Sequence, residues 1–314
     1  MTGEILAEWL RRRGSRIIRG AGSLWYDAGA RVFQPVPFHQ VFSPADHELR
    51  ALMRDAGAVG LRYSTSPDAP EGLLSYHVVF DAGAYTIDNI GPRTRNKVRR
   101  GLRASRVAPI SLDDLAHKGW LLQRDTLERQ GRSQSMKQAE WVALCRAAHD
   151  LPGFEAWGAY VGDELAASML IARVDDVVSV LTSQSHRAYL DHYVNNALCF
   201  TVSSDVLSRP GVRAVFYSTH SLDAPPSVDE FKFLMGYRAR PVRQRVCFNG
   251  MVAPLMNPLS HKLIRRMLQA RPESVTLSKA EGLLRFYLEG RQPAQQQHLP
   301  PVLRKERFDE QAPV

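Results

Sequence analysis

The sequence predicts an α+β fold in which mixed, mainly antiparallel sheets are flanked by helices. Two observations carry this. Helical and strand-like stretches alternate along the chain without the regular strand-helix repeat of a parallel α/β protein. The strand-like stretches also come in clusters divided by short turn signals such as Gly-Asp and Asp-Asp, the mark of antiparallel meanders. The chain has 314 residues, 44% of them hydrophobic and 23% charged, which suits a folded protein of about two domains.

Taken in order, MTGEILAEWLRRRGSR begins with a short helix whose Arg-rich end is either simply solvated, the commoner case, or rests on an anionic bilayer surface, followed by an extended lead-in to residue 42. Residues 43–57, SPADHELRALMRDAG, offer a Ser or Asp cap, Leu49 and Leu52 at helical spacing, and a closing Gly57. AVGLRYS, GLLSYHVVFD and YTIDN then read as strands of one small antiparallel sheet, rich in β-branched and aromatic residues. Next comes RTRNKVRRGLRASR, residues 93–106, with seven cations and no acid. Ile90, Thr94, Val98 and Leu102 fall on every fourth position there, so the stretch predicts a helix resting on that sheet, with Gly101 weakening its last turn.

A unit over residues 111–250 follows the partial one at 43–110. SLDD caps a helix reaching about Gln130, and KQAEWVALCRAAHD forms another with Trp141, Leu144, Cys145 and Ala148 on one face. EAWGAYVG, ELAASMLIARV and VVSVLTSQS make a three-stranded meander. After it come a helix over NNALCFTVSSDVLSR, a strand over VRAVFYST, and a last strand over RPVRQRVCFN. Residues 251–291 turn helical again, and Leu263, Met267 and Leu268 predict an apolar face docked on the body. The tail, 292–314, is polar and proline-bearing, which predicts mobility.

Charge narrows the partner class. The net charge is +9, and of 41 Lys and Arg only seven are Lys. Arginine forks onto carboxylates and phosphates, so an anionic partner and a genome-wide arginine bias both fit this composition. Sequence-specific nucleic-acid binding is disfavoured, since the basic stretch sits in no zinc-finger, RRM or recognition-helix pattern. Cys145, Cys199 and Cys247 are odd in number and form no CxxC pair, which points to a reducing compartment and away from a zinc ribbon. Cysteine usage and the lack of any apolar run near the ~20 residues of a membrane span predict a cytoplasmic protein, at most touching the inner face of the membrane. His186, Asp191 and His192 match no standard metal spacing, so no metal site is expected. Cys199, inside an apolar helical run, reads as a buried inert thiol.

Three stretches together resemble the GNAT acyltransferase superfamily, and within it the FemAB-like branch of two joined folds. They are RTRNKVRRGLR, YVNNALCFTVSSDVLSRPGVRAVFYST and EFKFLMGY, spread over roughly residues 85–245. The resemblance implies tandem GNAT-like folds and transfer of an acyl or aminoacyl group from an activated carrier to an amine. The acceptor it implies is a small amine or a nucleotide-sugar cell-wall precursor. No tightly bound cofactor is implied; the donor is acyl-coenzyme A or aminoacyl-tRNA. Coenzyme A enzymes carry a glycine-rich loop before the ligand-binding helix, whereas SHRAYLDHYVNN has no glycine to let backbone approach a pyrophosphate closely.

The ligand groove implied by the resemblance lies where VVSVLTSQS meets the helix starting near Tyr193. Tyr193, Asn195 and Asn196 are therefore candidate ligand residues, or the cap of a core helix. Arg95, Lys97, Arg99 and Arg100 are candidates for a phosphate-bearing substrate or a tRNA backbone. Amine attack on an ester or thioester passes through an oxyanion, which needs a positive or N–H donor and a base for the proton. Lys232, between Phe231 and Phe233, is the candidate donor, unless it simply pairs with Asp229 or Glu230 at the surface. His220 and Asp223, in the loop after VRAVFYST, are candidate bases, or plain turn residues. The alternative function is a GNAT-like protein that has lost catalysis and binds an anionic partner through its basic face.

Overall fold

The computed structural model describes residues 3–131, 136–220 and 227–304. Along the chain, helix α1 (Gly3–Arg12) leads into strands β1 (Ile17–Gly20), β2 (Ser23–Asp27) and β3 (Val32–Val36). Then come α2 (Asp46–Ala56), β4 (Gly60–Thr65), β5 (Leu73–Phe80) and the basic helix α3 (Pro92–Ala104). The middle of the chain forms β6 (Arg106–Ile110), α4 (Leu112–Arg129), α5 (Gln138–Arg146), β7 (Phe154–Val161), β8 (Glu164–Val174) and β9 (Val177–Ser185). The last elements are α6 (Val194–Ser208), β10 (Ala214–Thr219), α7 (Ser227–Leu234), β11 (Arg238–Phe248), α8 (Pro258–Ala270) and α9 (Val275–Glu289).

These elements gather into two compact units that interleave along the chain, where the sequence suggested contiguous segments. The larger takes residues 3–14, 79–218 and 227–238; the smaller takes 15–78, 219–220 and 239–304.

In the larger unit the strand order is β10-β9-β8-β7-β6. The β7-β8-β9 meander is antiparallel, as its turns predict, and β10 joins β9 in parallel. Strand β8 is buried at every position from Leu165 to Ala172, so helices must cover both of its faces, and α4 and α6 both pack on it. Trp141 and Leu115 fill the space under α4, where the indole N–H of Trp141 donates to the Leu115 carbonyl at 3.1 Å. The N-terminal helix belongs to this core. Leu6, Ala7, Trp9 and Leu10 are buried, and the Trp9 indole donates to the Leu144 carbonyl at 3.0 Å. Its apolar face is therefore occupied and is not presented to a bilayer.

In the smaller unit the order is β1-β2-β3-β4-β11-β5. The extended lead-in is a regular antiparallel ribbon, β1-β2-β3, whose Trp25 and Phe33 pack with Leu49, Leu52 and Met53 of α2. AVGLRYS and GLLSYHVVFD are strands but not neighbours, because β11, from far along the chain, pairs antiparallel with β4 and lies between them. YTIDN is no strand: Thr86 Oγ accepts from the Asp88 N–H and Asn89 Oδ1 from the Thr86 N–H, and these local bonds turn Ile87–Asn89 into a single 3-10 turn. Helix α9 buries Phe286 against Leu73 and Val246. Helix α8 departs from expectation, since none of its residues is buried and Leu263 and Met267 are exposed. The start of the tail is anchored. Gln297 is buried, accepts from the Leu74 N–H at 2.9 Å and donates to the Gly72 carbonyl at 3.2 Å.

Candidate functional site

The site forms where two parallel strands part. Pairing of β10 with β9 runs only from Ala214 and Val177 to Phe216 and Ser179. Just beyond, Leu170 of β8 faces Thr182 while Ile171 faces Val180, so Leu181 of β9 has no partner residue and forms a bulge. A bulge bends its strand and interrupts the ladder, here at the point where β9 leaves β10. A cavity of about 310 Å³ opens there. Residues 180–183 and Ser185 of β9, Tyr217 of β10, Thr126 and Arg129 of α4, Asn195 of α6, and Phe231 and Lys232 of α7 line it. It thus lies where VVSVLTSQS and the helix starting at Tyr193 come together. The hydroxyl of Thr182 in its wall is buried with no hydrogen-bond partner among the described residues.

Lys232 supplies the charge. Its ammonium donates to Asp229 Oδ1 at 2.6 Å and to Ser218 Oγ at 2.7 Å, and stands 5.1 Å from the ring centroid of Tyr217. The pair with Asp229 read from the sequence is present, but it is buried: the residues are 7% and 8% exposed. Burial pulls the lysine below its ordinary pKa against the opposing pull of the Asp229 carboxylate. An ammonium has three donors, and among the described residues two are engaged. Helix α7 ends so as to hold this geometry. Gly236, at φ +87°, donates to Phe233 and Tyr237 donates to the Lys232 carbonyl, closing the helix with a left-handed Schellman cap.

Arg129, which the sequence reading did not single out, braces the opposite wall. Its Nε donates to Asp125 at 2.9 Å, and its Nη2 to the Ser185 carbonyl at 2.8 Å and Thr126 Oγ1 at 3.1 Å. Burial raises the Asp125 pKa, but hydrogen bonds from Arg129 and Arg187 outweigh it and hold the carboxyl below its ordinary value. The signal was local: Asp125 and Arg129 stand four apart in LQRDTLERQ, the spacing of an ion pair on a helix.

The three candidates at the start of α6 point three ways, since Tyr193 is its left-handed cap at φ +55° and Asn195 and Asn196 stand about 100° apart around the helix. Asn195 alone lines the cavity, donating to Ser185 Oγ at 2.9 Å. Asn196 is buried against the sulfur of Met235 at 3.3 Å. Tyr193 faces α3, with the Arg100 guanidinium 4.7 Å and the Lys97 ammonium 6.0 Å from its ring centroid. Arg95 turns instead to Asp88 at 3.4 Å and to the Ile90 carbonyl, and Arg99 is exposed.

His220 belongs to the smaller unit. Its ring stacks on Tyr76 with centroids 4.6 Å apart, and its Nδ1 lies 3.2 Å from Ser75 Oγ. It is not among the residues lining the cavity. Asp223 lies outside the described residues. Cys199 is buried in α6, and burial pushes its thiol up to about 12. Among the described residues no group of three or more His, Cys, Asp or Glu could hold a metal ion, and no helix is long and apolar enough to cross a membrane.

No protein-family model and no curated protein matches the chain. Solved structures do. The C-terminal domain of a protein assigned as a lysylphosphatidylglycerol synthetase from Agrobacterium fabrum superposes with a TM-score of 0.52 at 12% identity, covering 80% of this chain and 89% of that one. FemX gives 0.52 at 12% identity over 78% and 89%. A conserved Bacteroides thetaiotaomicron protein of unknown function gives 0.53 at 11% over 78% and 89%. The chain has a GNAT/FemAB-like fold.

Proposed function

We propose that the protein is an N-acyltransferase that moves an acyl or aminoacyl group from an activated carrier to an amine. The observation that carries this is the buried ammonium of Lys232 on the wall of the cavity between β9 and β10. As the amine nitrogen bonds to the carbonyl carbon, the carbonyl oxygen gains negative charge before the carrier's oxygen or sulfur leaves. A cation fixed by Asp229 and Ser218 in a poorly hydrated wall stabilises that charge without having to reorganise. Asn195 and the unpartnered Thr182 hydroxyl offer polar contacts to the acyl group or the amine. The amine's proton needs a base; of the two candidates from the sequence, His220 does not line the cavity and Asp223 lies outside the described residues, so the lining residues leave the base unassigned.

The donor is read as aminoacyl-tRNA rather than acyl-coenzyme A, as the FemAB-like resemblance implies. A short helical turn, Arg187–His192, with no glycine precedes α6 in place of a glycine loop. The acceptor is a small amine or a nucleotide-sugar precursor. Cations on α3 and at Tyr193 would then meet phosphate. The test is transfer of radiolabelled amino acid from aminoacyl-tRNA to a panel of amines and nucleotide-sugar precursors, with acyl-coenzyme A donors in parallel. Turnover by the native protein that disappears in Lys232→Met supports the reading; turnover that Lys232→Met retains overturns the role of Lys232.

A second reading rests on α3 itself. Arg93, Arg99 and Arg103 are exposed and form no ion pair among the described residues. In this reading the fold has lost catalysis and the basic face binds a phosphate-bearing partner. It predicts salt-sensitive binding that Lys232→Met leaves intact, with no transfer to any acceptor.

A further inference from the structure

Helix α8 carries an exposed apolar stripe with nothing packed on it among the described residues. Leu259, Leu263 and Met267 are four residues apart, so they share one side of the helix, and they are 79%, 59% and 46% exposed. Exposed Met251 and Leu255 precede them in the connector. The opposite side is the one that docks. His261 Nε2 lies 2.9 Å from Glu281 Oε1 of α9, and Ile264 and Leu268 are half-buried. Thus α8 is anchored by one side and offers the other.

Charge indicates what that side meets. Residues 249–272 contain no acid, while Lys262, Arg265, Arg266 and Arg271 are all exposed. At 100° per residue, Arg266 and Lys262 run along one edge of the Leu259–Leu263–Met267 stripe. A second copy of this chain would set these cations against one another, whereas an anionic bilayer pairs them with lipid phosphates while it takes up the leucines. We infer that the outer side of α8 docks the protein in the interface of an anionic membrane, the apolar stripe entering the acyl boundary and the cations reaching the headgroups. This is independent of the chemistry assigned to the cavity. It also differs from the sequence expectation of a bilayer contact at α1, whose apolar face is buried.

The test is sedimentation of the full chain with vesicles of phosphatidylcholine alone and of an equimolar mixture with phosphatidylglycerol. Native protein is expected to bind only the mixture. The double variant Leu263→Asp/Met267→Asp alters exposed positions, and an unchanged Tm confirms its fold; it should weaken binding by about tenfold or more. Lys262→Gln/Arg265→Gln/Arg266→Gln should weaken it roughly 100-fold and remove most of the salt dependence. Absence of binding by the native protein, or binding untouched by the double variant, overturns the inference. So does a native dimer that the double variant converts to monomer while vesicles bind neither.

Discussion

Gly101 of the basic helix lies directly beneath the backbone carbonyl of Tyr193. A Cβ placed on Gly101 would sit 2.5 Å from that oxygen and 3.0 Å from the Ala197 side chain. The glycine is therefore where α3 crosses the first turn of α6. It takes over from the sequence stripe: Ile90, Thr94 and Val98 are buried, but Leu102 is 41% exposed.

Alanine at an exposed helical glycine gains about 1 kcal/mol from propensity. At Gly101 the clash should reverse the sign. Gly101→Ala is expected to lower stability by about 1 to 3 kcal/mol, the usual cost of overpacking, measured by urea unfolding. It should also shift Arg100 and Lys97 from the Tyr193 ring and weaken any phosphate ligand. A stabilised variant would show that the two helices do not meet there.

Gly236 is the corresponding point at the end of α7. It combines a left-handed φ of +87° with an approach in which a Cβ would meet the Asn89 carbonyl at 2.5 Å. Both the strain, about 1 to 2 kcal/mol for a left-handed residue, and the clash penalise Gly236→Ala. Its loss of stability should exceed that of Gly101→Ala, and because the cap begins at Lys232, turnover should fall more than substrate affinity. An unchanged kcat with a lowered Tm would separate the cap from the site.

These two glycines show what was legible in the sequence. A glycine marks a special place, but only the partner reveals whether it loosens a helix or lets two backbones touch. Local patterns identified the helices at 43–57 and 111–130, the meander and the lysine between two phenylalanines. The insertion of β11 between β4 and β5 was not legible, since strand neighbours separated by well over a hundred residues leave no periodicity. Nor was the splay of β9 from β10: a bulge at Leu181 is a fact about register with β8, not about VVSVLTSQS alone. The fold emerged from three short stretches in order, and the Asp229 partner of Lys232 was legible at helical spacing, but its burial and the contact with Ser218, fourteen residues away on β10, were not.

His77 provides a pH signature for the smaller unit. It is buried, with Nε2 2.8 Å from Ser64 Oγ. Burial, aided by the charges of Arg240, His39 and Arg62, pushes its pKa down from 6.5 to about 3. The unfolded chain takes up a proton near pH 6.5 that the folded chain refuses, so this contribution to stability is complete above that pH and is lost as the pH falls toward 3. Between pH 7 and pH 5 the loss attributable to this group should be about 2 kcal/mol. His77→Asn removes the titration, and its unfolding free energy should depend less steeply on pH across that interval. An equal slope in both proteins would place the proton uptake elsewhere.

The pair of Lys232 and Asp229 separates stability from chemistry. Removing one partner of a buried ion pair leaves the other charge desolvated, so Lys232→Met and Asp229→Asn should each destabilise by about 3 to 5 kcal/mol. Removing both should cost much less than the sum, because no charge is then left uncompensated. The double variant Lys232→Met/Asp229→Asn is therefore expected to be nearly as stable as the native protein and to bind the donor, yet to transfer nothing. That combination would assign the ammonium to the developing oxyanion. A double variant that regains turnover along with stability would instead show that the pair only props α7 against Ser218 and Tyr217.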